Sequence, residues 1–181
     1  MDDLIKRFRE LFEYDSSSGI LTWRVRPRSD FKRKCDHSKF NNKIAGKPAG
    51  SFNSKNGVRC YIHVPVNGKL YKAHRVAWAI YYNYLPKGQI DHIDGDKGNN
   101  AISNLRDVNN STNQRNCPVR SDNKSGLPGV FLDRRDGFFN CYIGSDSKSI
   151  YLGKTKSFFD ACCIRKSAEN GYKYHANHGR V

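Results

Sequence analysis

The chain has 181 residues, enough for one ordinary domain or for two small ones. Its formal net charge of +15 favours a polyanion as partner, most simply a nucleic acid. No apolar run approaches the roughly 18 residues of a membrane span, and the N-terminus lacks the basic and apolar regions of a signal peptide. Because 12 % of the residues are aromatic, a disordered basic tail is excluded, and we expect a folded, cytoplasmic protein without a membrane partner.

The six cysteines do not indicate a disulfide framework, because none forms a CxxC pair and two of them are adjacent. Zinc is one alternative, since Cys35, His37, Cys60 and His63 carry suitable ligand atoms. Their spacing matches no common zinc pattern, and Cys60 and His63 would point to opposite faces of a strand. We therefore expect reduced, packed thiols rather than a zinc site.

The first part of the chain, residues 1–57, is predicted to form a helix, a strand and a basic arm. Apolar residues at helical spacing predict the helix over 3–14, and an apolar run predicts the strand over 20–25. The stretch 26–47 has little periodicity and carries eight Lys or Arg residues against two Asp. It is either a solvated loop or an arm that contacts the DNA backbone and becomes ordered there.

A hairpin and a helix are predicted next. Strands over 61–66 and 70–73 flank Asn67-Gly68, the dipeptide that best supplies the positive φ angles of a type I′ turn. Pro65 suggests that its strand lies at a sheet edge. A helix over 74–84 follows, and Val76, Ala77 and Ile80 form its predicted buried stripe.

The segment 91–113 carries the residues of a possible reaction. It contains Asp91-His92, then Asn104 and Asn113, in a strongly basic chain. A neutral histidine can accept a proton from water, and oxygen ligands from a carboxylate and a carboxamide suit a hard divalent cation. Neighbouring strand residues face opposite ways, so Asp91 and His92 can both point inward only where the strand ends, and the turn at Gly95 predicts such an end.

The same pattern, with Asn99-Asn100 and the upstream run Ala73-His74-Arg75, resembles the HNH endonucleases over about residues 60 to 116. Within them it resembles the phage and intron-encoded homing subset, whose last motif position is often Asn. The resemblance implies a ββα-metal fold in which His92 is the general base. It also implies that Asp91 and Asn113 hold one Mg²⁺ or Mn²⁺.

Further roles follow from this resemblance. Asn104 is expected to brace the loop between the two strands and to orient His92. Arg106 is expected to lie close to the DNA backbone. His74 and Arg75 are candidate DNA contacts, and for His74 a structural, hydrogen-bonding role is the alternative.

The last third is predicted to be a linker over 117–128 and a small module over 129–181. Strands are predicted over 129–133, 138–143 and 150–152, with turns at Asp136-Gly137 and over 144–149. Ser157 and Asp160 have the spacing of a capping box, which predicts a helix from there to about residue 170, stopped by Gly171.

This module resembles the APETALA/ERF-type DNA-binding domain, through its strand residues 129–130, 139–143 and 151–153 and the helix around Ala161. The resemblance implies a three-stranded sheet that lies in the major groove. Its expected DNA-facing residues are Arg134, Arg135, Asn140, Tyr142 and Lys148. The family usually has Trp where Phe139 lies and a second Ala where Cys162 lies, and a small α+β module with a merely basic surface is the alternative.

Together these patterns predict an α+β protein with a nuclease core at 58–116. The expected function is metal-dependent cleavage of double-stranded DNA by a monomer, in which the basic arm and the C-terminal sheet choose the site. One rival is a catalytically silent, sequence-specific DNA-binding protein. Another is a structural zinc protein that binds nucleic acid.

Overall fold

The computed structural model describes residues 2–55, 58–145 and 148–180 and has a mixed α/β fold. The chain divides into two compact units, Met1–Asp107 and Val108–Val181, called here the N-terminal and C-terminal units. No helix in the described ranges has the length and apolar character needed to cross a membrane.

The described residues of the N-terminal unit form α1 (Asp2–Leu11), β1 (Phe12–Tyr14), β2 (Leu21–Trp23), α2 (Lys34–Lys43), β3 (Ser51–Lys55), β4 (Val58–Val66), β5 (Lys69–Lys72), α3 (Ala73–Tyr82), β6 (Gln89–His92) and β7 (Leu105–Val108). The antiparallel sheet β3–β4–β5, the antiparallel pair β1–β2 and the pair β6–β7 are its β structure.

The first helix is shorter than its periodicity predicts. It ends at Leu11, and the next three residues form β1, with Phe12 opposite Trp23 and Tyr14 opposite Leu21. The predicted helix over 3–14 was wrong at its end, because strand pairing competes successfully with a pattern that is apolar in either conformation.

Helix α1 shares one hydrophobic core with the β4–β5 hairpin and α3. Ile5 and Phe8 of α1 pack there with Val64 of β4 and Val76 of α3. Burying a large apolar side chain contributes about 1.5–3 kcal/mol relative to exposure, so these few residues account for much of the cohesion. The N-terminal segment is therefore part of the same packed body as the hairpin and α3.

The basic stretch after β2 contains ordered structure. It holds a 3₁₀ turn (Arg28–Asp30) and α2, so the expectation of a loop without elements was wrong. The Arg26 guanidinium lies 4.7 Å from the ring centre of Phe31 and 5.1 Å from that of Phe40. Because α2 buries no residue, these ring and guanidinium contacts hold the segment where an amphipathic pattern is missing.

The predicted β-hairpin is confirmed. Asn67 and Gly68 have φ angles of 49° and 78°, both positive as a type I′ turn requires. The edge position predicted from Pro65 was wrong, because β4 is the central strand of its sheet. The pairing of β4 with β3 ends at His63, which lies opposite Ser51. Pro65 lies beyond that pairing, so no hydrogen bond to β3 requires a backbone N–H at this position.

Helix α3 begins at Ala73 and ends at Tyr82, where Asn83 takes the left-handed conformation with φ 63°. Of its predicted stripe, Val76 and Ala77 are buried, and Ile80 is partly buried against the core. This helix links the main core to the smaller core under β6 and β7.

The C-terminal unit contains a three-stranded antiparallel sheet and one long helix, as predicted. Its elements are α4 (Asn110–Gln114), β8 (Val130–Asp133), β9 (Phe138–Ser145), β10 (Lys148–Thr155) and α5 (Phe158–Gly171), with strand order β10–β9–β8. The strands β9 and β10 are longer than expected, and Asp146 and Ser147 of the predicted turn lie outside the described residues.

The start of α5 confirms the predicted cap. The Ser157 hydroxyl accepts a hydrogen bond of 3.2 Å from the backbone N–H of Asp160, which satisfies a donor that the first turn leaves unpaired. One face of the sheet packs against this helix through Val130, Cys141 and Ala161, all fully buried.

The segment predicted as a linker, 117–128, lies inside the C-terminal unit. Val119 N donates to Arg180 O at 2.9 Å, and Gly179 N donates to Cys117 O at 2.9 Å. These bonds fasten the start of the segment to the chain's last described residues. The boundaries 57/58, 116/117 and 128/129 remain predictions.

Candidate functional site

Asp91 and His92 lie side by side at the end of β6. They are 7 % and 4 % exposed, and the strand stops at His92, as predicted. Gly95 then makes the turn with a φ of 82°, and its N–H donates to His92 O at 2.9 Å. Ending the strand here allows both side chains to be buried despite their adjacent positions.

The side chain of Asn104 braces the loop that follows. Its Oδ1 accepts from Asp94 N at 3.0 Å, and its Nδ2 donates to Asp94 Oδ1 and to Asn99 O, both at 2.9 Å. Burial alone would raise the pKa of Asp94, but the hydrogen bonds from Asn99 and Asn104 hold it below its usual value. This geometry is consistent with the bracing role expected of Asn104.

The His92 ring contacts a different residue, Asn100. Asn100 Oδ1 lies 3.1 Å from His92 Nε2, and both side chains are buried. The His92 ring also packs edge-on against His74, with 5.1 Å between ring centres. Sequence reasoning used Asn100 only as part of a pattern, although its fixed spacing from His92 was a usable signal.

Arg106 contacts Asp91 rather than lying on an open surface. Its Nε and Nη2 both donate to Asp91 Oδ2, at 2.9 and 2.7 Å. The guanidinium offsets the charge of a buried carboxylate and fixes its orientation. Sequence reasoning placed Arg106 at the DNA backbone and missed this pairing.

His74 and Arg75 are both engaged within the unit. Burial, with smaller effects from His92 and Lys72, lowers the pKa of His74 to about 3, so the ring is neutral near neutral pH. A buried neutral ring favours the structural role over a phosphate contact. Arg75 donates to Gly88 O at 3.1 Å and to Pro86 O, and so holds the segment before β6.

Two exposed lysines lie close to the ring of Tyr61, which is itself close to the ring of His92. Lys72 Nζ and Lys97 Nζ lie 4.4 and 5.4 Å from the ring centre of Tyr61, whose ring is 6.0 Å from that of His92. An open cleft beside them is lined by Phe52, Cys60 and residues 95–98. Sequence reasoning missed this pair of cations, because the two lysines are 25 positions apart in the chain.

The two residues expected to hold a metal ion each carry oxygen donors. Asp91 has a buried carboxylate, and Asn113 is a carboxamide on α4, a short helix capped by Asn109 Oδ1 accepting from Thr112 N at 2.8 Å. Within the described ranges no group of three or more His, Cys, Asp or Glu side chains is gathered. Carboxylate and carboxamide oxygens are donors that suit Mg²⁺.

The four residues considered for zinc lie on two elements. Cys35 and His37 are on α2, and Cys60 and His63 are on β4. His37 Nε2 is 3.0 Å from Asn41 Nδ2, and His63 Nδ1 is 3.0 Å from Tyr61 O. Both rings thus have local hydrogen-bonding partners.

In the C-terminal unit, Asn140 and Tyr142 lie on the sheet face opposite α5, since the intervening Cys141 is buried on the helix side. Tyr142 belongs to an aromatic row across all three strands. Its ring centre is 6.2 Å from that of Phe131 and 5.3 Å from that of Tyr151. Phe131 and Tyr151 are more than half exposed, and sequence reasoning missed them, although strand alternation places them on this face.

The candidate basic residues of this unit lie in two places, the β8–β9 turn and the start of β10. Arg134 and Arg135 are exposed in the β8–β9 turn, where Arg135 pairs with Asp133 at 2.9 Å. Lys148 pairs with Ser145, and this register gives it the same orientation as Ile150, on the α5 side. The expectation that Lys148 shares a face with Tyr142 was therefore wrong.

Residues 71–115 match the sequence profile of a family described as HNH endonuclease. The match begins in β5 and contains α3, β6, β7 and α4, hence Asp91, His92, Asn104 and Asn113. The chain therefore contains an HNH endonuclease domain, which indicates a nuclease, a hydrolase. Comparison with curated proteins and with solved structures gave no significant match.

Proposed function

We propose that this protein is a metal-dependent DNA endonuclease. The observation that carries the proposal is the buried pair Asp91 and His92 at the end of β6, inside the segment that matches the HNH endonucleases. The net charge of +15 supports a polyanionic substrate.

In the proposed reaction His92 takes a proton from a water molecule that attacks the phosphorus atom. The bond to the 3′ oxygen breaks and that oxygen takes a proton from solvent water, which gives a 5′-phosphate and a 3′-hydroxyl. Asp91 and Asn113 would hold Mg²⁺ or Mn²⁺, and the spacing of Asn113 from Asn104 supports that assignment. The cation, when bound, stabilises the charge on the phosphate and on the leaving oxygen.

Other residues of the N-terminal unit support this chemistry. Arg106 fixes the Asp91 carboxylate, and Asn104 holds the loop that follows His92. Lys72 and Lys97 provide positive charge at the edge of the cleft, where a DNA phosphate would be attracted.

We further propose that the C-terminal unit helps to choose the site on double-stranded DNA. Its open sheet face carries Asn140, Tyr142 and the aromatic row, with Arg134 and Arg135 at one end. The likeness of this unit to an APETALA/ERF-type domain supports this role. The likeness of the nuclease segment to the phage and intron-encoded homing subset, which rests on the Asn at the last motif position, is a second support. A monomer that carries one metal ion is the simplest form.

Incubation of the full chain with supercoiled DNA and Mg²⁺ tests the proposal. We expect cleavage that stops in EDTA and is abolished by His92→Ala with little change in DNA affinity, whereas His37→Ala on α2 should cut normally. A wild-type protein that binds but never cuts would instead establish the silent DNA-binding alternative. Mapping the ends on both strands distinguishes a nick from a double-strand break.

A further inference from the structure

The side chain of Asn100 lies against one ring nitrogen of His92, Nε2. Asn100 is 2 % exposed, and its Oδ1 lies 3.1 Å from His92 Nε2. A carboxamide oxygen only accepts hydrogen bonds, so this contact requires the hydrogen on Nε2. In a neutral ring the lone pair is then on Nδ1, the nitrogen that can take a proton.

The backbone around Asn100 is held by the loop itself. Asn100 N donates to Gly98 O at 3.1 Å, and the preceding carbonyl, Asn99 O, accepts from Asn104 Nδ2 at 2.9 Å. Asn99 Nδ2 in turn donates to Asp94 Oδ2 at 2.7 Å. These bonds connect the position of Asn100 to the loop that Asn104 braces.

A second support comes from the β1–β2 hairpin, far away in the sequence. The Tyr14 hydroxyl donates to Asn100 O at 2.8 Å, and Ile102 N donates to Ser16 O at 3.0 Å. Burial raises the pKa of Tyr14, so its hydroxyl keeps the hydrogen that this bond needs. The hairpin thus contacts the loop on both sides of Ala101.

The turn of the β1–β2 hairpin approaches the backbone of Asn100 and Ala101 so closely that position 19 requires a glycine. Its φ is 75°, and a Cβ at this position would lie 2.2 Å from both Ala101 N and Asn100 C. Those atoms belong to the backbone and cannot rotate away, so any larger residue would separate the turn from the loop.

We propose that Asn100 is a positioning residue for His92 and that the β1–β2 hairpin, through Tyr14 and Gly19, holds Asn100 in place. The consequence for catalysis rests on the proposed function of His92 as the general base. The hairpin therefore belongs to the active site, although it lies some 70 residues before His92.

Cleavage kinetics of three variants of the full chain test this role. Asn100→Ala should lower kcat by about 10–100-fold, as loss of a supporting partner typically does, while KM for DNA stays nearly constant. Asn100→Asp keeps an accepting oxygen and should recover most of the rate. Tyr14→Phe removes one hydrogen bond and should lower kcat a few-fold. Asn170→Ala, which changes an exposed asparagine on α5, is the matched control.

A spectroscopic measurement gives a readout without cleavage. In ¹⁵N-histidine-labelled protein, long-range ¹H–¹⁵N spectra should show the Nε2–H form of His92 in wild type and in Asn100→Asp, and a mixture in Asn100→Ala. The spectrum of His92→Gln identifies the signals. This measurement also serves if Asn100→Ala folds poorly, since wild type and Tyr14→Phe remain informative.

The outcomes separate the two proposals. An Nδ1–H form in wild type, or a wild-type kcat in Asn100→Ala, overturns the role of Asn100. The expected Nε2–H form together with full cleavage by His92→Ala leaves the positioning of the ring intact and overturns the general-base function instead.

Discussion

Replacing Arg106 with Met should weaken the N-terminal unit and make its stability more sensitive to Mg²⁺. Arg106 makes two charge-assisted bonds to Asp91 Oδ2, and the two side chains are 30 % and 8 % exposed. Hydrogen bonds to charged groups contribute about 1.5–3 kcal/mol. Because the guanidinium is partly exposed, we expect the free energy of unfolding to fall by about 2 kcal/mol. For a unit of this size that loss lowers Tm on the order of 10 °C.

Thermal unfolding in EDTA and in Mg²⁺ measures this effect. A bound cation and the guanidinium both offset the charge of the same carboxylate, so Mg²⁺ should raise the Tm of Arg106→Met more than that of wild type. At ten times its Kd, the ion contributes about 1.4 kcal/mol. Arg75→Met is the matched control, because Arg75 donates only to the carbonyls of Pro86 and Gly88.

Asp91→Asn in the Arg106→Met background completes the test. This second change removes the charge that the ion would neutralise, so the response of Tm to Mg²⁺ should disappear. An equal Mg²⁺ response in wild type and Arg106→Met would refute the reasoning, since the ion would then be held elsewhere than on Asp91.

Three other predictions concern groups outside this pair. Burial lowers the pKa of His74 to about 3 from an unfolded value near 6.5, so the stabilising contribution of the neutral ring is complete above pH 6.5 and is lost as the pH falls below it. The free energy of unfolding should fall by about 2 kcal/mol between pH 7 and 5. His74→Gln should flatten this pH profile, as measured by urea unfolding. Tyr151→Ala should weaken DNA binding several-fold by fluorescence anisotropy, whereas Phe159→Ala, on α5, should not. Lys97→Ala should reduce the slope of log affinity against log salt by about 0.9, whereas Lys87→Ala should leave it unchanged; equal slopes for both variants would contradict a phosphate contact at Lys97.

The parts of the fold that the sequence predicted have strong local signals. Asn67-Gly68 defines a turn by its φ preferences, and Ser157 caps a helix by its side chain alone. Elements that were not predicted, among them β1, β3 and α2, depend on partners elsewhere in the chain. Phe12 becomes a strand residue because Trp23 lies opposite, and α2 is held by the rings of Trp23 and Phe40, 5.4 Å apart.

The candidate site shows the same contrast between what local patterns predict and what depends on distant partners. Spacing identified Asp91, His92 and Asn104, because the family pattern fixes which residues come together. Spacing does not state which atom meets which. Two contacts were therefore not predicted: Arg106 Nη2 donates to Asp91 Oδ2, and His92 Nε2 lies 3.1 Å from Asn100 Oδ1.

These two contacts have a common physical basis. A buried carboxylate and a buried imidazole each need a specific partner, because an unpaired polar group in the interior costs more than the bond contributes. Any chain that buries Asp91 and His92 together at a strand end must supply a cation and an acceptor nearby, and Arg106 and Asn100 meet those two needs. The burial of the pair, on which the proposed function rests, thus also predicts which residues around it cannot be replaced without loss.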